Sequence, residues 1–312
     1  MAKPSRKDWR ACSTEPHKIL VSYHYYKKVK LAKWADQFDR PLMIFADSGA
    51  YSAESQGATI DIKEYMRWLE QEAACITTYA NLDVIGDAAA THTNQIKMEK
   101  SGFVPMPVFH AGEELKWLDR YLEKYPLIGL GGLVGRPKAA SWSWIVKVFR
   151  RARERNSPAV FHGFGTTTFK IVADLPWYSV DSSTWGVGFR YAEVFLFDPW
   201  KLRLVRARLF NPQSVAKRAE IIRFYGGDPE RLKSRDGYRY SYIAALSARS
   251  WQQFELYCRL RHGEIGLPGQ SGGLHAHMAM APSDGERLRA GLHLYLADSN
   301  TTNHRYAIEG IK

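Results

Sequence analysis

Short apolar runs recur through the first two-thirds of the chain, each closing on glycine, aspartate, serine or histidine. They read HKILVSYHYY (17–26), PLMIFADSGAYS (41–52), ITTYANLDVIGD (76–87), FVPMPVFHAGE (103–113), PLIGLGGLVG (126–135), AVFHGFGTT (159–167), PWYSVDSST (176–184) and AEVFLFD (192–198). Continuous apolar runs of this length suit strands buried on both faces, as in parallel sheets. Helical spacing lies between them. IDIKEYMRWLEQEAA (60–74) places Tyr65, Trp68, Leu69 and Glu72 at i, i+3, i+4 and i+7, and EELKWLDRYLEKY (113–125) and SWIVKVFRRARER (143–155) are similar. Strand alternating with helix predicts βαβ units. About eight strands fit a (β/α)8 TIM barrel, whose usual size is about 250 residues. An open doubly wound sheet is the rival, weakened because no GxGxxG follows the first strand. The expected fold is therefore α/β: a (β/α)8-type barrel in 1–200 and an appended, mostly helical, basic region in 201–312 that completes the barrel.

Within that C-terminal region, KLRLVRARLF (201–210) alternates cationic and apolar residues and should pair with AEVFLFD as a hairpin around Asp198-Pro199. QSVAKRAEIIRFY (213–225) and SYIAALSARSWQQFELYCRLRHG (241–263) read as helices, and GEIGLPGQSGG (263–273) as a glycine-rich loop.

Composition narrows the partners. The 312 residues are 45% hydrophobic, enough for a sizeable core. Lys and Arg number 44 against 32 acids, a net charge of +12 that attracts polyanions. Cations and rings interleave at SYHYYKKVKLAKW (22–34) and KSRDGYRYSY (233–242), a mixture suited to phosphates and unpaired bases. Arg203, Arg206, Arg208, Arg235, Arg239 and Tyr240 are the candidate nucleic-acid contacts. KVFRRARER (147–155) reads instead as a solvated helix face. The three cysteines, Cys12, Cys75 and Cys258, are widely spaced and form no CxxC pair, which fits a reducing cytoplasm. No signal peptide is expected behind MAKPSRKDWRACS, nor a membrane span. No cofactor is expected. Zinc is the alternative, because Cys258 and His262 lie at i, i+4 and His275 and His277 follow.

In a barrel the polar residues that end the strands converge on one face. Here these are Asp47, Ser48, Asp83, Asp87, His110, Glu113, Gly131, Gly132, His162, Thr166, Asp181 and Ser182. One such aspartate reads equally as a helix or turn cap. Several on successive strands suggest an acidic pocket. Glycines within LGGLVG (130–135) suggest close approach of backbone to a ligand or a bulge, with tight packing as the competing reading.

Taken in order, these strand ends resemble the tRNA-guanine transglycosylase family. DSGAY (47–51) is similar to its DSGGF, Asp83 in NLDVIGD to its base-reading aspartate, LGGLVGRP (130–137) to its IGGLAVGE-like run, and GFGTT (163–167) before SVDSST (180–184) to the segments around its nucleophile. The resemblance covers roughly 40–190, with HAG (110–112) where the family has QGG. It departs in lacking the CxCxxC zinc site and an added RNA-binding domain, which fits the phage and bacterial branch that inserts 7-deazaguanine into DNA. The resemblance implies that Asp181 is the nucleophile at C1′, Asp47 the general acid and base, and Asp83 the reader of the base's N–H donors. It assigns base contacts to the backbone of Gly131, Gly132 and Leu133, with help from His110, and ring stacking to Tyr51 or Phe164. Ser48 and His162 complete the substrate-binding set. The implied partners are DNA, with tRNA as the alternative, and a base such as preQ0. A non-catalytic barrel that only binds nucleic acid is the reading from another class.

Overall fold

A computed structural model describes residues 16–36, 38, 41–166, 168–183, 191–235, 240–262 and 293–297. Ten strands are present among them: β1 His17–Ser22, β2 Leu42–Asp47, β3 Ile76–Tyr79, β4 Val108–His110, β5 Leu127–Gly131, β6 Val160–Gly163, β7 Ser179–Ser182, β8 Glu193–Asp198, β9 Arg203–Arg208 and β10 His293–Ala297. The first seven fall within the apolar runs that predict them.

The single continuous parallel barrel expected from the sequence is not what these strands build. One parallel run is β3-β2-β1 and another is β7-β6-β5-β4; they join only through β10, which lies between β1 and β7. Between β3 and β4 there is no ladder, only one bridge, Ala80 to Met106. The run expected as the eighth strand, 192–198, is β8, which pairs antiparallel with β9 in a separate two-stranded sheet. The physical reason lies in β9. Its exposed Arg206 and Arg208 face Phe195 and Glu193 across the hairpin, and Arg208 and Arg206 both reach the Glu193 carboxylate. A strand carrying that face belongs at the surface, and the tight Asp198 turn, which accepts the Trp200 and Lys201 amides, takes β8 with it.

Alternation along the parallel strands sorts the core. Leu20, Phe45, Ala80, Met106, Val108, Leu127 and Tyr178 share one cluster on the inner side. Ile19, Val21, Ile44 and Ala46 point the other way and pack on Tyr65, Trp68 and Leu69 of the helix Ile62–Gln71. Glu72, on the same stripe, is buried and accepts the Leu31 amide at 2.9 Å. A second core joins β8 and β9 to the helices Pro212–Ala216 and Ala219–Phe224 and to Tyr242, Ile243 and Leu246 of the helix Tyr240–His262. Among the described residues the C-terminal region holds the expected hairpin partner β9, these helices and β10, which joins the parallel strands. None of the described helices is long and apolar enough to cross a membrane.

Candidate active site

The carboxyl ends of β2, β4, β6 and β7 bring Asp47, His110, His162 and Asp181 to one end of the parallel strands, and the segment after β3 adds Asp83. Asp47 and Ser48 form the turn into the next helix. Asp47 Oδ2 accepts the Gly49 amide at 3.0 Å, and Ser48 Oγ donates to Asp83 Oδ1 at 3.0 Å. Gly49 has φ +77°, and a Cβ there would lie 2.2 Å from Ser22 Oγ, so only glycine lets this turn sit against the end of β1. Burial pushes the Asp47 carboxyl up to about 8, and the neighbouring charges of Asp83 and then Asp181 push it in the same direction. Asp47 is therefore a protonated acid at neutral pH.

His110 sits between two carboxylates. Its Nε2 lies 3.0 Å from Asp83 Oδ2 and its Nδ1 3.2 Å from Glu113 Oε1, while Glu113 Oε2 accepts the His110 amide at 3.0 Å. Burial opposes its charge. The hydrogen bonds to Asp83 and Glu113 outweigh that and lift the imidazole to about 9. Both ring nitrogens then donate. Gly131 makes room for this ring: a Cβ there would meet His110 Cδ2 at 2.6 Å. The close approach that the strand glycines suggest is thus, at Gly131, that of the His110 side chain. Gly132, at φ +71°, faces the Ala111 backbone, and Leu133 packs in the cluster that holds Phe109, Leu118 and Ile145.

Asp181 is buried at the end of β7. Its Oδ1 accepts the Gly165 amide at 2.8 Å and lies 3.4 Å from His162 Nε2. His162 is fully buried, with Nδ1 2.7 Å from Ser179 Oγ and its ring edge-on to Phe45 and Phe164 at 4.6 and 4.5 Å. Burial lowers its proton affinity against the pull of Asp181, so it is neutral beside the carboxylate. Phe164 is a floor residue under this histidine, whereas Tyr51 stands 58% exposed at the rim.

Most of the expected set is thus gathered: Asp47, Ser48, Asp83, His110, Gly131, His162, Phe164 and Asp181. Asp87 is separate, capping the helix Ala88–Lys100 through the Ala90 amide at 2.9 Å. Glu113 and Ser179 belong to the site although no role is assigned to them from sequence. The signal for Glu113 is its i+3 spacing from His110; Ser179 carries none. Among the nucleic-acid candidates, Arg203, Arg206, Arg208 and Arg235 are exposed, Arg235 lying over the Phe210 ring at 5.6 Å. Arg239 and the Tyr240 side chain lie outside the described residues. For the zinc alternative, Cys258 is buried in the apolar core and His262 Nε2 meets the Ala173 carbonyl at 2.7 Å. His275 and His277 lie outside the described residues, and no metal-holding cluster of three or more occurs among those described. No family model, curated protein or solved structure compared with the chain matches it.

Proposed function

We propose that the protein exchanges guanine in DNA for a 7-deazaguanine base such as preQ0. The observation that carries this reading is the meeting, at one end of the parallel strands, of Asp47, held in its acid form by burial and the neighbouring Asp83 and Asp181, with Asp181 itself, whose Oδ1 accepts the Gly165 amide at 2.8 Å. Double displacement at an acetal-like carbon uses two carboxyl groups, one that gives up a proton to the leaving base and one that attacks. Asp181 attacks C1′ and the C1′–N9 bond breaks. The electron pair leaves with guanine, which takes the Asp47 proton. The incoming base returns its N9 proton to Asp47, N9 attacks C1′, and the Asp181 ester bond breaks. Asp83, held by Ser48 and His110, would accept the base's N–H donors. The target base has to leave its stack, at a cost of a few kcal/mol that phosphate contacts on a chain of charge +12 would offset.

The test is exchange of labelled guanine from DNA in the presence of preQ0, with a tRNA stem-loop beside it. Exchange into DNA supports the reading. Exchange into tRNA alone moves the polymer and keeps the chemistry. Binding without exchange into either favours the non-catalytic reading.

A further inference from the structure

The turn after β1 carries a feature that the exchange chemistry does not use. Residues 22–35 hold four lysines and no acid. Tyr23 and Tyr26 point inward and anchor the turn in the outer core, together with Leu31 and Trp34. Tyr25 points out and is 39% exposed, yet its hydroxyl is fixed. Gln56 Nε2 donates to Tyr25 Oη at 3.0 Å, Gln56 Oε1 lies 3.1 Å from His24 Nε2, and the His24 and Tyr25 rings meet edge-on at 4.8 Å. Core packing explains the two buried tyrosines. It gives no reason to hold an exposed ring still with a cross-loop glutamine. A ring already ordered binds a partner without paying the entropy of immobilisation.

Its position supplies the partner. A Cβ on Gly49 would lie 2.7 Å from His24 Cβ, so this turn rests directly on the Asp47–Gly49 turn of the pocket. Tyr51, the second exposed ring, stands on the helix Ala50–Ser55 that leads to Gln56. Lys27, Lys28 and Lys30 are exposed beside Tyr25, Lys30 reaching Glu72 at 3.7 Å. Lys27 also lies over the Tyr23 ring at 5.8 Å, and a fixed ring next to two exposed lysines, Lys27 and Lys28, is the arrangement that holds an unstacked base and its phosphates.

We propose that Tyr25, Lys27 and Lys28 form a platform for a nucleotide adjoining the one whose base is exchanged, Tyr25 stacking on the base and the lysines contacting phosphate. This rests on the DNA reading above. The test is binding of a fluorescent single-stranded DNA oligonucleotide to the full chain across a salt series, with exchange measured on the same preparations and folding checked by melting. Tyr25→Ala should weaken binding about tenfold, and Tyr25→Trp should retain it. Lys27→Gln/Lys28→Gln should reduce the salt slope by about 1.4. Wild-type-like binding by both Tyr25→Ala and the double lysine variant, with exchange intact, overturns the platform and leaves the DNA reading standing. Absence of both binding and exchange in the wild type overturns the two together.

Discussion

Asp47 and His110 make the pocket sensitive to pH in one direction. The Asp47 carboxyl has an ordinary value near 3.8 in the unfolded chain and about 8 in the fold, so the folded state holds a proton that the unfolded state has released. Its contribution to stability is fully present below about 3.8 and is lost as pH rises through about 8. Asp47→Asn removes the loss, and thermal melts should show it more stable than the wild type at pH 8, with the difference vanishing near pH 4. The same variant should lower exchange by on the order of 10²–10⁴-fold, and wild-type exchange should fall above pH 8 as the acid ionises. His110 behaves alike: raised from 6.5 to about 9, it stabilises the fold fully below pH 6.5 and loses that contribution through about 9. His110→Gln leaves Asp83 and Glu113 without their cation, so denaturant titration should show a cost of about 1–3 kcal/mol at pH 6 and a smaller one at pH 9.5. The aspartates were legible from their place at strand ends. The protonation states were not, because they depend on which carboxylates face one another across strands far apart in sequence.

At the level of elements, the first seven strands and the helices Ile62–Gln71, Leu115–Lys124 and Lys138–Glu154 lie where their periodicity puts them, whereas the helix Ala88–Lys100 carries almost no apolar stripe and gave no such signal. Pairing order did not follow. AEVFLFD (192–198) stands among the apolar runs expected to build the parallel set, and LHLYLA (292–297) is not singled out as one of them. The arginines of 203–208 decide otherwise, drawing 193–198 into a surface hairpin and leaving β10 between β1 and β7. One buried contact ties the helix Tyr240–His262 to the start of β1: Lys18 Nζ donates to Glu255 Oε1, with both side chains 7% exposed. Lys18→Met should cost about 3–5 kcal/mol in chemical denaturation, and adding Glu255→Leu should recover most of that, because the buried carboxylate deprived of Lys18 is the source of the cost.

For the whole molecule, the charge of +12 was legible from composition, but its distribution was not. Arg151 and Arg155 are taken up by Asp119 and Glu123 between neighbouring helices, the first pair bidentate at 2.7 Å. Arg203, Arg206 and Arg208 remain exposed on the hairpin. Replacing these three by alanine should weaken DNA binding at all sequences and reduce the slope of log K against log salt by about 2–3 for duplex DNA. An unchanged slope would remove the hairpin from the interface. The proposed reaction bonds Asp181 covalently to the sugar. Its most direct test is denaturing electrophoresis with intact mass of the wild type and Asp181→Asn after incubation with guanine-containing DNA. The account predicts a denaturation-stable protein–DNA adduct, mapped to Asp181, that disappears in the variant and is discharged by adding preQ0. An adduct that survives in Asp181→Asn, or exchange that proceeds in that variant, would contradict it.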